Sequence, residues 1–297
     1  MKRAVCLLLI AFLSLQCGPN QNVITTSGGP TAPENVKAYS SGPQSVNLSW
    51  TAPPEASDSM FWGYIIKWNG IQDSVPKGTL TITVTSLPAG ATPFTLVSRL
   101  TTGEISESPA VIAWAPADRF SDSTFILWEY IQGGASPAGP TAIYTSSPGG
   151  PPKIFPIDST FLSNADFYLF GGTGGLPQTL QLFSADLYDG ANHATRFSTV
   201  TDASSTLDFP RSSFPASSTF TSQSVTATVN TIYYVQLEGT SGPYYARVLI
   251  TGSSGSSPGR SIAMKLSIQR SPGVFFAGAG TTTHKPAFPF GMLVAPR

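Results

Sequence analysis

The chain has 297 residues, with 16 Lys+Arg balanced by 16 Asp+Glu and only 11% of residues charged, under half the usual share of about 25%. That balance argues against a nucleic-acid partner, since counterion release needs clustered Lys and Arg that the sequence does not contain. Hydrophobic residues at 41%, including 18 Phe, 10 Tyr and 5 Trp, suffice for one or two packed cores, and 28 Gly with 26 Pro favour strands and turns over helices.

Taken in chain order, the sequence opens with Lys2-Arg3 and an apolar run from Ala4 to Leu15. This run is too short to span a bilayer and has the proportions of a secretory h-region, so export is expected. Both cysteines, Cys6 and Cys17, fall within residues 1–17, which leaves no intramolecular disulfide in the chain that follows. Cys17 precedes Gly18 and a polar stretch from Pro19 to Pro33. The arrangement resembles a bacterial lipoprotein signal, with Ser14 and Gln16 standing where that family prefers Leu and a small residue. The resemblance implies lipidation at Cys17, a tether over 18–30, and a place at the outer membrane or cell surface. A plain cleaved signal peptide and a secreted soluble product are the alternative.

Residues 31–116 read as a β-sandwich. Val46, Leu48 and Trp50 alternate onto one face of a strand that Pro53-Pro54 ends. Further strands are expected at Val36–Tyr39, Tyr64–Trp68, Leu80–Val84, Phe94–Ser98 and Ala110–Trp114, with Asn69-Gly70 as a turn. Pro33-Glu34-Asn35-Val36, Ser45 to Trp50 with Pro53-Pro54, Gly63-Tyr64-Ile65-Ile66, Leu87 and Thr92-Pro93-Phe94 together resemble a fibronectin type III domain. The pairing of Trp50 with Tyr64 is the most specific part. Phe94 stands where that family usually has its corner tyrosine, which removes a hydroxyl–backbone bond and keeps the packing.

Residues 118–277 read as a second, larger antiparallel sandwich, and 278–297 as a tail. Strands are expected at Thr124–Tyr130, Thr141–Thr145, Ala165–Phe170, Thr179–Tyr188, Ala194–Val200, Ser224–Thr228, Ile232–Leu237, Tyr244–Ile250 and Ser261–Gln269. No window shows uninterrupted helical periodicity, so the fold class is all-β: a fibronectin type III (Ig-like) sandwich followed by a larger one. Pro116 to Ser121 is expected to be the junction, and residues 31–116 to melt on their own, unless Trp114 and Trp128 flank an apolar interface that fuses the units. Tyr233–Leu237, Tyr244–Ile250 and Leu266–Gln269 resemble the closing hairpins of HmuY-type haem-carrying surface lipoproteins. That similarity implies a haem or hydrophobic-ligand carrier as one alternative function.

Catalytic constellations are not advertised. The only histidines are His193 and His284, neither beside a nucleophile motif, and Gly171 to Gly175 lacks the Lys of a phosphate cradle and reads as a loop. One stretch, Asp186 to His193, concentrates Asp186, Asp189, Asn192 and His193, where a cation or a sugar hydroxyl could be gripped, although Asp189-Gly190 also makes an ordinary hairpin turn. His193 and His284 are the candidate axial ligands of the haem reading. Trp62, Trp68, Trp114 and Trp128 could form a glycan platform but in a sandwich are core residues first. The expectation is therefore a non-enzymatic envelope lipoprotein. It would need no cofactor and no metal, touch the membrane through Cys17, and present its fibronectin type III module to a protein or glycan. A secreted carbohydrate-active accessory protein is the remaining alternative.

Overall fold

The computed structural model describes residues 29–134, 139, 141–145, 151–157, 164–188, 193–238, 242–269, 271–273 and 276. Its first unit is built from β1 (Glu34–Gly42), β2 (Ser45–Thr51), β3 (Phe61–Trp68), β4 (Ile71–Pro76), β5 (Thr81–Val84), β6 (Thr92–Leu100) and β7 (Ala110–Trp114). They form two antiparallel sheets, in the orders β1-β2-β5 and β4-β3-β6-β7. Period-two alternation turns Val46, Leu48 and Trp50 inward from one sheet to meet Tyr64, Ile66, Phe94, Leu96 and Trp114 from the other, all buried. Trp50 and Tyr64 pack edge to face at 5.2 Å between ring centroids. The turn at Asn69-Gly70 is present, with φ of 44° and 77°, as the tight hairpins of twisted strands require. It leads into β4, which the sequence pattern did not mark. Its residues are mostly exposed, with Gln72-Asp73-Ser74 at the centre, as suits an edge strand.

The second unit comprises β8 (Asp118–Trp128), β9 (Tyr130–Ile131), β10 (Thr141–Tyr144), β11 (Lys153–Pro156), β12 (Phe167–Thr173), β13 (Leu176–Ser184), β14 (Thr195–Ala203), β15 (Phe220–Ser222), β16 (Ser224–Thr226), β17 (Thr231–Leu237), β18 (Tyr244–Ser254) and β19 (Ser261–Ile268). One sheet runs β15-β14-β17-β18-β19-β8. The other runs β11-β10-β12-β13-β16, with β9 beside β12. Between them lies a core that includes Phe167, Leu169, Leu182, Phe197, Val235, Val248 and Leu266. Among the described residues the helical turns are all short 3-10 segments, so the all-β expectation stands.

The junction differs from the expectation. Only Ala115-Pro116-Ala117 separates β7 from β8, all three are buried, and Asp118 already pairs with Ile268 at the start of a long strand. The polar Asp118-Arg119 does not signal a linker, because Arg119 finds an ion-pair partner in Asp208 of the connection after β14. The Gly171 to Gly175 reading is also corrected. Gly171 to Thr173 complete β12, and Gly174-Gly175, both at positive φ, make the hairpin turn into β13.

The two units share apolar ground. Alternate residues of β17 and β18 face away from the second core. Ile232, Tyr234, Tyr245 and Leu249 join Leu207, Phe214, Phe220 and Phe276 in one cluster that is continuous with the first unit's core. Phe276 stacks on Phe214 at 5.1 Å and lies 6.5 Å from Trp114. Ala38 and Arg211 exchange backbone bonds of 2.8 and 3.0 Å, closing the free edge of β1. Of the two tryptophans expected to flank an apolar interface, Trp114 belongs to this shared cluster, whereas Trp128 pairs with Ser261 within the second sandwich. Arg247, on the same face, is 1% exposed. Its Nη2 donates to the Phe209 carbonyl at 2.9 Å and its guanidinium lies 5.9 Å from the Tyr234 ring centroid. Burial holds Arg247 below the usual arginine range. Tyr234 in turn donates to Asp202, which also takes two bonds of 2.8 and 2.7 Å from Arg211. Burial pushes the Tyr234 phenol up to about 12.

Candidate functional site

The stretch singled out for its carboxylates and imidazole lies where β13 ends and β14 begins. Asp186 sits in a 3-10 turn, Ala185–Leu187, directly after β13. One of its carboxylate oxygens accepts from Ser184 Oγ. The other accepts from Arg196 Nη1 at 3.0 Å and Gln223 Nε2 at 3.2 Å. Partial burial alone would raise its pKa, but these donors and the Arg196 charge hold it below the usual carboxylate range. With both oxygens engaged, Asp186 is a closed ion pair rather than an open cation ligand.

His193 has a different partner. Its Nδ1 stands 3.5 Å from Oδ1 of Asp166, an electrostatic pairing longer than a good hydrogen bond. Asp166 is 2% exposed, and its Oδ2 accepts from both the backbone N–H and the hydroxyl of Thr145 at 2.6 Å. The Tyr144 ring meets the imidazole edge to face at 6.2 Å. Asp166 raises the His193 pKa, against the opposing effect of burial, and Glu238 adds to the rise. The chemistry of this set is that of a supported imidazole. Thr145 donates to the carboxylate, whereas a nucleophilic relay needs the hydroxyl to donate to the histidine. Asp189, Asn192, His284 and Cys17 lie outside the described residues. Among the described residues no group of three or more His, Cys, Asp or Glu could hold a metal ion.

Sequence reasoning missed Asp166. It is twenty-seven positions from His193, just ahead of the apolar run Phe167 to Phe170, and only the pairing of β10 with β12 brings Thr145 to it. Beside this set, Tyr130, Tyr168 and Tyr188 pack edge to face with centroids 5.1 to 6.0 Å apart. Burial drives the Tyr168 phenol well above its ordinary range.

A second feature is a cleft of about 550 Å³ whose lining includes Ser198, Thr199, Thr201, Thr226, Thr228 and Tyr233. It exists because β14 bulges. Phe197 pairs with Val235 and Thr201 with Tyr233, so three residues on β14 stand opposite one on β17. The Tyr233 hydroxyl is anchored, donating to the Thr226 carbonyl at 2.5 Å and accepting from the Thr228 N–H at 2.8 Å. The lining carries no charged side chain and mixes hydroxyls with apolar surface, Val225 included.

The first unit carries a third feature at the pole away from the second sandwich. Arg99 lies over the Trp62 ring at 5.1 Å, Thr101 N–H donates to the Met60 carbonyl at 2.8 Å, and Lys77 N–H donates to the Trp62 carbonyl at 3.0 Å. Of the tryptophans considered for a platform, Trp114 is core, Trp68 and Trp128 are half-buried, and Trp62 is exposed.

The fold and these sites define an all-β protein with an Ig-like sandwich at its N-terminal side. The family model of the fibronectin type III domain matches residues 31–103, and the chain contains a fibronectin type III domain there. Among solved structures, the fn3 domain of human collagen alpha-1(XX) is 22% identical over 30% of this chain and 88% of its own, with a TM-score of 0.23. The FN5 domain of Drosophila Lar is 23% identical over 29% of this chain and 97% of its own, with a TM-score of 0.22. The spore cortex lytic enzyme SleM of Clostridium perfringens is 22% identical over 29% of this chain and 28% of its own, with a TM-score of 0.26. The shared part is thus about a quarter of the enzyme's length. A comparison with curated proteins finds no match.

Proposed function

We propose that the protein is an exported envelope lipoprotein, anchored through Cys17, that acts by contact rather than catalysis. In this reading the fibronectin type III domain is the scaffold, and the second sandwich is the part held out toward a protein or glycan. The observation that carries it is the placement of chain ends on the first unit. Gly29 packs against the backbone of Ile105 at one pole, while Ala38, Gly42 and Trp114 meet the second sandwich toward the other. A chain held at Cys17 would therefore present the second sandwich, and with it the His193 end, away from its anchor. The cleft's open, uncharged lining of hydroxyls and apolar surface suits one face of a neutral glycan, whose hydroxyls and C–H groups would meet both. The haem-carrier reading takes second place, because His193 is already paired with Asp166 and His284 lies outside the described residues. Detergent-phase partitioning of the full-length protein tests the anchor: Cys17→Ser should move it to the aqueous phase, and recovery in detergent despite the substitution overturns the proposal. Mass measurement of the mature N-terminus supplies the second readout, with a diacylated Cys17 expected.

A further inference from the structure

We infer that the N-terminal pole of the fibronectin type III domain is a membrane-resting surface, with a zwitterionic phospholipid headgroup layer as its partner. The inference rests on the Cys17 anchor proposed above and adds to it the face that meets the lipid.

Four of the large hydrophobic side chains that are exposed among the described residues gather at this pole: Met60 at 45%, Ile105 at 41%, Leu80 at 37% and Trp62 at 36%. Their proximity follows from the backbone. Thr101 bonds to Met60, Arg99 bridges Ile105 and covers Trp62, Lys77 bonds to Trp62, and Trp50 N–H donates to the Leu80 carbonyl at 3.1 Å. A tryptophan with a wet indole edge beside Lys and Arg is the side-chain set that settles at a headgroup boundary. Acidic groups share the pole. Asp58 turns its carboxylate to the Met60 N–H at 2.8 Å, and Glu104 accepts from the Thr102 hydroxyl at 3.3 Å. A pole of mixed sign suits a headgroup carrying both charges better than an anionic one.

The chain end selects the occupant. Gly29 lies so close to this pole that a Cβ on it would stand 2.2 Å from the Ile105 carbonyl oxygen. From there residues 18–28 lead back to Cys17, a path that spans at most about 40 Å when fully extended. A lipid on Cys17 therefore ties this pole to the bilayer more closely than the second sandwich, which is joined to the anchor only through the first unit. Each apolar side chain that settles into the interface adds to residence there.

The experiment uses the chain from Cys17 onward, in which Cys17 is the sole thiol, coupled to maleimide-lipid vesicles of phosphatidylcholine with brominated acyl chains. Tryptophan fluorescence of the coupled chain is expected to fall by roughly a fifth relative to unbrominated vesicles, the share of Trp62 among the five tryptophans. Met60→Asp with Ile105→Asp should abolish that difference while leaving the melting temperature unchanged, because both side chains are exposed. Trp62→Phe should remove the quenched component, since Trp50 and Trp114 are buried, Trp68 lies at the opposite end of β3 and Trp128 belongs to the second sandwich. Equal fluorescence on both vesicle types, quenching that survives the double Asp variant, or quenching that survives Trp62→Phe each overturns the inference. Coupling supplies the anchor chemically, so these outcomes are independent of whether Cys17 is lipidated in the cell, which the partitioning experiment reads separately.

Discussion

In the fibronectin type III sandwich a strand such as β2 alternates between buried and half-buried residues, whereas in the second sandwich β18 buries six residues in succession, Tyr245 to Ile250. Strands of the first kind serve one core. β17 and β18 serve two: Val235 and Val248 face the second sandwich, while Tyr234 and Tyr245 face the cluster shared with the first unit. The difference locates the mechanical coupling of the molecule. A sheet that is a wall to both cores cannot lose one side without exposing the other, so the two units are expected to unfold together.

The sharpest way to break that comparison is at Phe214, whose ring contacts Phe220, Tyr234, Tyr245 and Phe276. Phe214→Ala is expected to cost about 3–5 kcal/mol and to lower one calorimetric transition for the whole chain. Two separate transitions, with the first unit's unmoved, would restore the picture of independent domains. Expressed alone, residues 31–116 lack the cover over Trp114 and the edge of β1, and are expected to melt below the full chain or aggregate.

Next in size is Gly171→Ala. A Cβ there would stand 2.3 Å from Oε2 of Glu129, a buried carboxylate. Glu129 accepts from Gly259 N–H at 2.6 Å, Arg260 N–H at 2.9 Å and Arg260 Nε at 2.7 Å. Disturbing this pair is expected to cost about 3 kcal/mol, read as a lower urea midpoint. Burial alone would raise the Glu129 pKa, but these donors hold it below the ordinary value. Its contribution is therefore present above the unfolded carboxyl's pKa and lost as pH falls through the lower folded one. The variant should lose less stability than the parent on acidification, and an identical acid limb would count against the pair.

His193→Gln probes the second sandwich alone and is expected to cost no more than about 1 kcal/mol, because the imidazole is partly exposed. The His193 pKa is raised by Asp166. The stabilisation is thus fully present below the ordinary histidine pKa and lost as pH rises through the folded value. Parent and variant melts should differ at pH 5 and converge at alkaline pH, with the His193 ring resonance titrating above its free value. A difference independent of pH would mean that packing against Tyr144, not charge, holds the ring.

Smallest is Arg99→Ala at the free pole, expected to shift stability by no more than about 0.5 kcal/mol. A larger shift there would show that this pole supports the core rather than standing clear of it.

Much of the first unit was legible in the sequence. Val46, Leu48 and Trp50 alternate, Pro53-Pro54 ends their strand, and Asn69-Gly70 turns the chain, because each is a local rule acting on neighbouring residues. β4 was not, since an exposed edge strand has no buried face to pattern it. The junction was misplaced for a related reason: Asp118 and Arg119 look like linker residues until Asp208, far along the chain, supplies the partner that lets Arg119 sit in a strand. At the candidate site, Asp186 and His193 were legible as chemistry but not as partners. By itself the sequence determined an all-β chain with a fibronectin type III domain and the positions of most strands. Only the tertiary structure decided that Asp166 pairs with His193, that Glu129 forbids a side chain at Gly171, and that β17 and β18 stand between two cores. A continuous apolar run states that both faces are buried and leaves open against what, because that depends on contacts between residues the chain keeps far apart.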